Sequence, residues 1–158
     1  MNLNSLLFNY SEENISRLAL RIGVGVILAA HGAQKLFGWF GGYGLEGTGQ
    51  WMASIGLEPG YLMALAAGSA EFFGGIALII GLLTRPAAIV SAFTMLVAMV
   101  VVHLEHGFFL ATNGIEFSLI LLIGSAVIAL QGAGKISLDA YISNASATTN
   151  HSAQAVLN

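Results

Sequence analysis

Apolar residues run along this chain in four long blocks, and polar residues break them at few places. The blocks are roughly Arg17 to Phe40, Pro59 to Leu83, Pro86 to about Leu104, and Ile115 or Glu116 to about Leu130. A helix needs about 20 mostly apolar residues to cross the hydrocarbon core of a bilayer. Lipid cannot satisfy open backbone groups, so blocks of this kind are expected to be helices. The strict alternation of a membrane strand is absent, which argues against a barrel. The reading is an all-α integral membrane four-helix bundle over residues 15–135. Residues 1–14 form an expected N-terminal interfacial segment, and residues 136–158 an expected mobile cytoplasmic C-terminal tail rich in Ser, Ala, Thr and Asn.

Composition agrees. Hydrophobic residues make up 56% of the 158-residue chain and charged residues 8%, with a mean hydropathy of +0.81. A soluble domain carries about 25% charged residues. Disorder requires the opposite balance of charge and hydrophobicity. With five Lys+Arg against eight Asp+Glu there is no basic face for nucleic acid. The absence of cysteine removes thiolate metal sites, Cys-held clusters and dithiol exchange within the chain.

Charge placement sets an orientation. Arg17, Arg21, Arg85 and Lys135 fall on one side of the predicted bundle and Lys35 on the other. The positive-inside rule then puts both termini in the cytoplasm, with the first helix an uncleaved anchor. The outer loops are roughly 41–58 and 105–114. Seven glycines fall from Gly41 to Gly60, six of them in the first loop. Within it, residues 48–55 suit a short interfacial helix, either a surface anchor or a glycine-hinged lid. Trp39, Tyr43, Trp51 and Tyr61 fit an aromatic belt.

Small residues recur at four-residue spacing: Gly25, Ala29 and Ala33 in the first helix, and Ala66, Ala70 and Gly74 in the second. Such rows let membrane helices approach closely. They serve the bundle or a homo-oligomer.

Ionisable residues at membrane depth are costly and usually face a bundle interior or cavity. At about 100° per residue, Arg17, Arg21, His31 and Lys35 share an arc of about 80°. Met95, Met99, His103 and His106 do the same on the third helix. His31 and Glu71 come to similar depths, about 13 and 15 Å from the outer ends of their helices. Glu105 and Glu116 join His103 and His106 near the outer loops. The expected site is an outward-opening polar pocket lined by His31, Lys35, Glu71, His103, His106 and Glu116. Each has a structural alternative. Glu71 serves as a paired core carboxylate, Lys35 snorkels to the headgroups, and Asn113 with Glu116 caps the fourth helix as N-cap and N3. Glu12, Glu13, Glu46, Glu58 and Asp139 read as solvated or helix-end charges.

A carboxylate near imidazole and ammonium binds a polar head and moves protons. A quinone suits such a pocket: His31 and Lys35 meet its oxygens and Glu71 exchanges protons. Haem and divalent metal fit less well. His31 and His103 are offset in depth for bis-His haem, and a metal set drawn from His31, Glu71, His103, His106 and Glu116 lacks tight ligand spacing. No redox centre is visible, so a redox partner protein is expected to supply electrons. The rival classes are a scaffold that recruits a soluble enzyme and a small-solute transporter.

Five segments carry a resemblance. They are His31-Gly32-Ala33-Gln34-Lys35-Leu36-Phe37-Gly38 with the glycine-rich loop after it, Glu71 with Gly74-Gly75, the Gly81-Leu82-Leu83-Thr84-Arg85-Pro86 turn, and Asn113-Gly114-Ile115-Glu116. In this order they resemble the DoxX family over residues 15–135. The resemblance implies a small four-helix membrane protein. Some relatives are subunits of thiosulfate:quinone oxidoreductase, and others are linked to quinone or aromatic-compound detoxification or to oxidative stress. It therefore implies an oxidoreductase-associated membrane subunit touching quinone.

Overall fold

The computed structural model describes residues 14–145. Among them every regular element is helical. The expected interfacial segment lies outside the described residues except for Asn14, as does the tail beyond residue 145. The order is α1 (Asn14–Phe37), a 3₁₀ turn (Trp39–Gly41), α2 (Gly44–Ser54), α3 (Gly60–Ile80) and α4 (Thr84–Ala98). A π turn (Met99–His103) and two 3₁₀ turns (Leu104–His106, Leu110–Thr112) lead to α5 (Glu116–Gln131). Residues 138–145 form a last helical segment, α6.

Three stretches are long and apolar enough to cross a membrane: Ile15–Phe37, Gly60–Ile80 and Thr84–His106. The apolar helix Glu116–Gln131 is shorter, at 16 residues. α1, α3, α4 and α5 run up and down in turn. α1 packs most extensively on α3, and α4 on α5. α3 and α4 touch less, and α2 lies on the start of α3. Val24, Leu28, Leu78, Ala88, Met95, Leu121 and Ile128 form the core between them.

Glycine sets the α1–α3 distance. A Cβ on Gly32 would stand 2.3 Å from the Phe72 backbone nitrogen, and one on Gly75 would stand 2.5 Å from that of Ala29. The close row is thus Gly25, Ala29 and Gly32 against Gly68 and Gly75. Gly25 and Ala29 of the predicted first row take part, but the predicted second row does not face α1. Gly74 instead faces Ser91 of α4, and Ala66 and Ala70 border a cavity. Spacing of four identifies small residues but does not say which side of the helix meets a partner.

At one end of the bundle the basic residues gather. Arg21 is 2% exposed. Its guanidinium donates to the carbonyl oxygens of Ala133 and Ile136 and lies against Gly81, whose φ of 71° ends α3. Asp139 reaches across to α4, accepting hydrogen bonds from the N–H groups of Leu83 (2.8 Å) and Thr84 (2.9 Å). Its own N–H donates to Gly81 O at 2.9 Å. The first residues of the tail, expected to be mobile from 136 onward, are therefore held down: α4 takes its N-terminal cap from a residue far along the chain. Burial tends to raise the Asp139 carboxyl, but the Thr84 and Leu83 hydrogen bonds and the Arg21 charge outweigh it and leave it below its ordinary value.

Candidate functional site

At the other end the helices enclose a cavity of about 670 Å³. Its position follows from side-chain size. α3 presents Ala66, Ala67 and Ala70 toward α4, and these small residues leave room opposite Val90, Phe93, Thr94 and Val97. α1 and α5 close the back with Leu28, Phe117, Ser118 and Leu121. α2 and the segment after it cover the top with Trp51, Met52 and Leu57. That helix starts at Gly44, four residues earlier than predicted. Its seat depends on glycine: a Cβ on Gly60 would stand 2.1 Å from Gly49 O. The Gly38 to Gly42 turn folds back on the end of α1, where Gln34 Nε2 donates to Phe40 O at 3.3 Å.

The polar side of the cavity is an ion pair. Lys35 Nζ donates to Glu71 Oε2 at 2.5 Å. The Glu71 side chain is 4% exposed and that of Lys35 23%. A buried carboxylate without a partner is strongly disfavoured, so the ammonium makes a charged Glu71 tolerable in this place. An ammonium has three N–H donors, and one is directed at Glu71. Helical spacing puts His31 one turn below Lys35 on the same stripe. Its ring packs against Phe117 with centroids 5.5 Å apart, and it borders the cavity too.

His103 completes the set from the π turn that follows α4. Its Nδ1 lies 2.8 Å from Asn113 O, and both residues line the cavity. The structure thus brings His31, Lys35, Glu71 and His103 around one space. It does not bring His106 or Glu116 there. The π turn at Met99–His103 changes the angular step, so His106 leaves the face it was predicted to share with His103. Its Nδ1 lies 3.1 Å from Val102 O. Glu116 Oε1 accepts the Leu110 N–H at 2.6 Å, tying the loop before α5. The predicted capping box is also replaced. Ile115 precedes α5 without a side-chain cap, and Asn113 sits at φ 63°, ending the preceding 3₁₀ turn. Gly107 O and Phe108 O accept the N–H groups of Ile115 and Glu116 instead.

Sequence reasoning missed Thr94 and Ser118, which border the cavity. Each hydroxyl donates to its own helix, Thr94 to Val90 O at 3.0 Å and Ser118 to Ile115 O at 2.9 Å. Lone hydroxyls in apolar helices carry no spacing signal, because such back-bonding satisfies them anywhere. As for metal, no three His, Asp or Glu side chains converge among the described residues. The five residues named as a metal set are divided between the cavity and the loop.

Chemically this is an apolar chamber with one charged wall. Comparison with known proteins fits that frame. The sequence profile of DoxX matches residues 16–104. The chain belongs to the DoxX family. It is 34% identical over 128 residues to "Putative oxidoreductase CatD" of Bacillus subtilis (strain 168), covering 81% of this chain and 87% of that one. It is 34% identical over 130 residues to "Inner membrane protein YqjF" of Escherichia coli (strain K12), covering 80% and 92%. It is 33% identical over 127 residues to "Inner membrane protein YphA" of the same organism, covering 77% and 86%. No solved structure matches. With its apolar helices, this DoxX protein is a multi-pass inner membrane protein.

Proposed function

We propose that this DoxX protein is a quinone-binding membrane subunit of an oxidoreductase complex. It crosses the inner membrane four times with both termini in the cytoplasm, and its cavity lies in the outer half. The observation that carries the reading is the Lys35–Glu71 pair set in the wall of an otherwise apolar chamber of about 670 Å³. Ligand pockets of this size are typically apolar with a few placed polar groups. The name of the Bacillus subtilis relative, an oxidoreductase, supports the class of partner. The gathering of Arg21 and Arg85 at the opposite end supports the orientation.

In this reading Lys35 and His31 donate hydrogen bonds to the quinone oxygens. Reduction of a quinone to a quinol takes up protons, and Glu71 relays them from its place beside Lys35. Electrons come from a partner protein. His103 lines the same chamber, where it meets the quinone ring.

The experiment is extraction and mass spectrometry of the protein purified in mild detergent, followed by binding of decylubiquinone. Wild-type protein carries quinone and binds decylubiquinone saturably. Glu71→Gln keeps the shape, removes the charge, and lowers binding at least tenfold, as does His31→Ala. Absence of both co-purified quinone and decylubiquinone binding in wild-type protein overturns the proposal.

A further inference from the structure

Some residues that line the cavity are also exposed, and they are not evenly distributed. Leu28, Glu71, Met95 and Leu121, on the side toward α1 and α5, are at most 5% exposed. On the side between α3 and α4, Met63 is 38% exposed, Val90 48%, Phe93 66% and Val97 36%, and at the loop end Trp51 is 41% and Leu110 53%. The chamber therefore has a closed back, an exposed flank between α3 and α4, and an exposed rim at the loop end.

The flank lies deep in the membrane. Val90 and Phe93 follow Thr84 by six and nine residues, about 9 and 13 Å along a helix that spans the bilayer. Apolar side chains exposed at that depth face acyl chains, not water. The gap has a local cause. Near the turn, α3 and α4 are in contact where Gly74 meets Ser91, with an added Cβ 3.0 Å from Ser91 Oγ. Further along, α3 offers Ala66, Ala67 and Ala70 in place of larger side chains, and there the cavity lies between them and Val90, Phe93 and Val97 of α4.

We propose that the cavity opens sideways into the bilayer between α3 and α4. Through this opening it takes a membrane-dissolved amphiphile whose polar head reaches Lys35 and Glu71 while its apolar tail leaves past Phe93 and Val97. This rests on the reading of the cavity as a ligand site, and it adds the route and the ligand class. A ligand with a long apolar tail does not fit whole in this volume, so its tail needs an exit. An exit among Val90, Phe93 and Val97 leaves the tail in hydrocarbon, with no apolar surface exposed to water.

The chain has no cysteine, so a single introduced one carries a nitroxide at a unique place. The protein is reconstituted in nanodiscs after Ala66→Cys or Ala70→Cys labelling, with Phe73→Cys as lipid-facing reference and Glu46→Cys as aqueous reference. Molecular oxygen, which partitions into lipid, and nickel ethylenediaminediacetate, which stays in water, serve as relaxation probes. Oxygen access near that at position 73, with the nickel complex excluded, is the expected result. Nickel access near that at position 46 overturns the proposal in favour of an aqueous mouth. Exclusion of both probes overturns it in favour of a sealed flank, as a second copy of the chain seated there would produce.

A second arm compares decylubiquinone with tail-less ubiquinone-0. Wild-type protein prefers the tailed compound at least tenfold, and Ala66→Trp, which narrows the opening, removes most of that preference. An unchanged preference overturns the sideways route. Lipid-type access at positions 66 and 70 with no quinone bound by wild-type protein overturns the quinone reading and supports the opening. The two failures are thus distinguishable.

Discussion

The two ends of this bundle handle buried charge in opposite ways. At the basic end, Arg21 spends its donors on the carbonyl oxygens of Ala133 and Ile136, and the tail closes over it. At the other end, Lys35 and Glu71 meet each other in the wall of an open chamber. Both arrangements answer the cost of placing charge in a low-dielectric interior. Only the second leaves the charges beside space that a ligand can occupy. A buried ionisable residue in a membrane helix therefore signals function when its surroundings are hollow, and architecture when its partners are fixed backbone groups.

The sharpest break of this comparison is Arg21→Met. It leaves two carbonyl groups without their charged donor, each such hydrogen bond contributing about 1.5–3 kcal/mol. We expect the largest loss of stability here, about 3 kcal/mol, read as a lower unfolding midpoint in detergent. Decylubiquinone affinity of the folded fraction should stay within about twofold of wild type. A large affinity loss would show that the two ends are coupled.

Gly32→Ala tests the α1–α3 contact that holds His31 and Lys35 in place. The added methyl meets the Phe72 and Gly68 backbone, and overpacking of this kind costs about 1–3 kcal/mol. Here the same unfolding assay should show destabilisation together with weaker binding. Gly23→Ala is the matched control, because a Cβ there meets nothing within 4 Å. Replacing glycine by alanine inside a helix gains up to about 1 kcal/mol, so this variant should be at least as stable as wild type.

The smallest effect concerns pH at the basic end. The Asp139 carboxyl is held below its ordinary value by the Thr84 and Leu83 hydrogen bonds and by Arg21, against the opposing effect of burial. A lowered folded value means that the contribution is present above the unfolded value of about 3.9 and is lost as pH falls through the folded one. Hydrogen exchange should show α6 loosening below about pH 4 while the α1–α3 contact stays protected. Asp139→Asn should abolish that pH dependence.

The four apolar blocks predicted the helices closely, since an apolar run in hydrocarbon must satisfy its backbone groups internally; three of them have the length to cross. The stripe carrying His31 and Lys35 was legible because 100° per residue holds throughout a regular helix. The same rule misplaced His106, because the π turn at Met99–His103 alters the step, and nothing in those residues announces it. Glu116 was expected in the pocket, with a cap for its own helix as the structural alternative. In the structure it accepts a hydrogen bond from Leu110, a choice made by the loop's path. Asp139 looked like a helix-end charge, and it is one, but the helix is α4.

Sequence by itself determined that this chain enters a membrane as helices and carries titratable groups on particular faces and at particular depths. Those properties depend on near neighbours and on hydropathy, both written along the chain. Tertiary structure alone decided which glycines let α1 meet α3, that Lys35 points at Glu71, and that a chamber remains among the helices. These outcomes depend on how side chains distant in sequence fill or fail to fill shared space. That space exists only once the helices have packed.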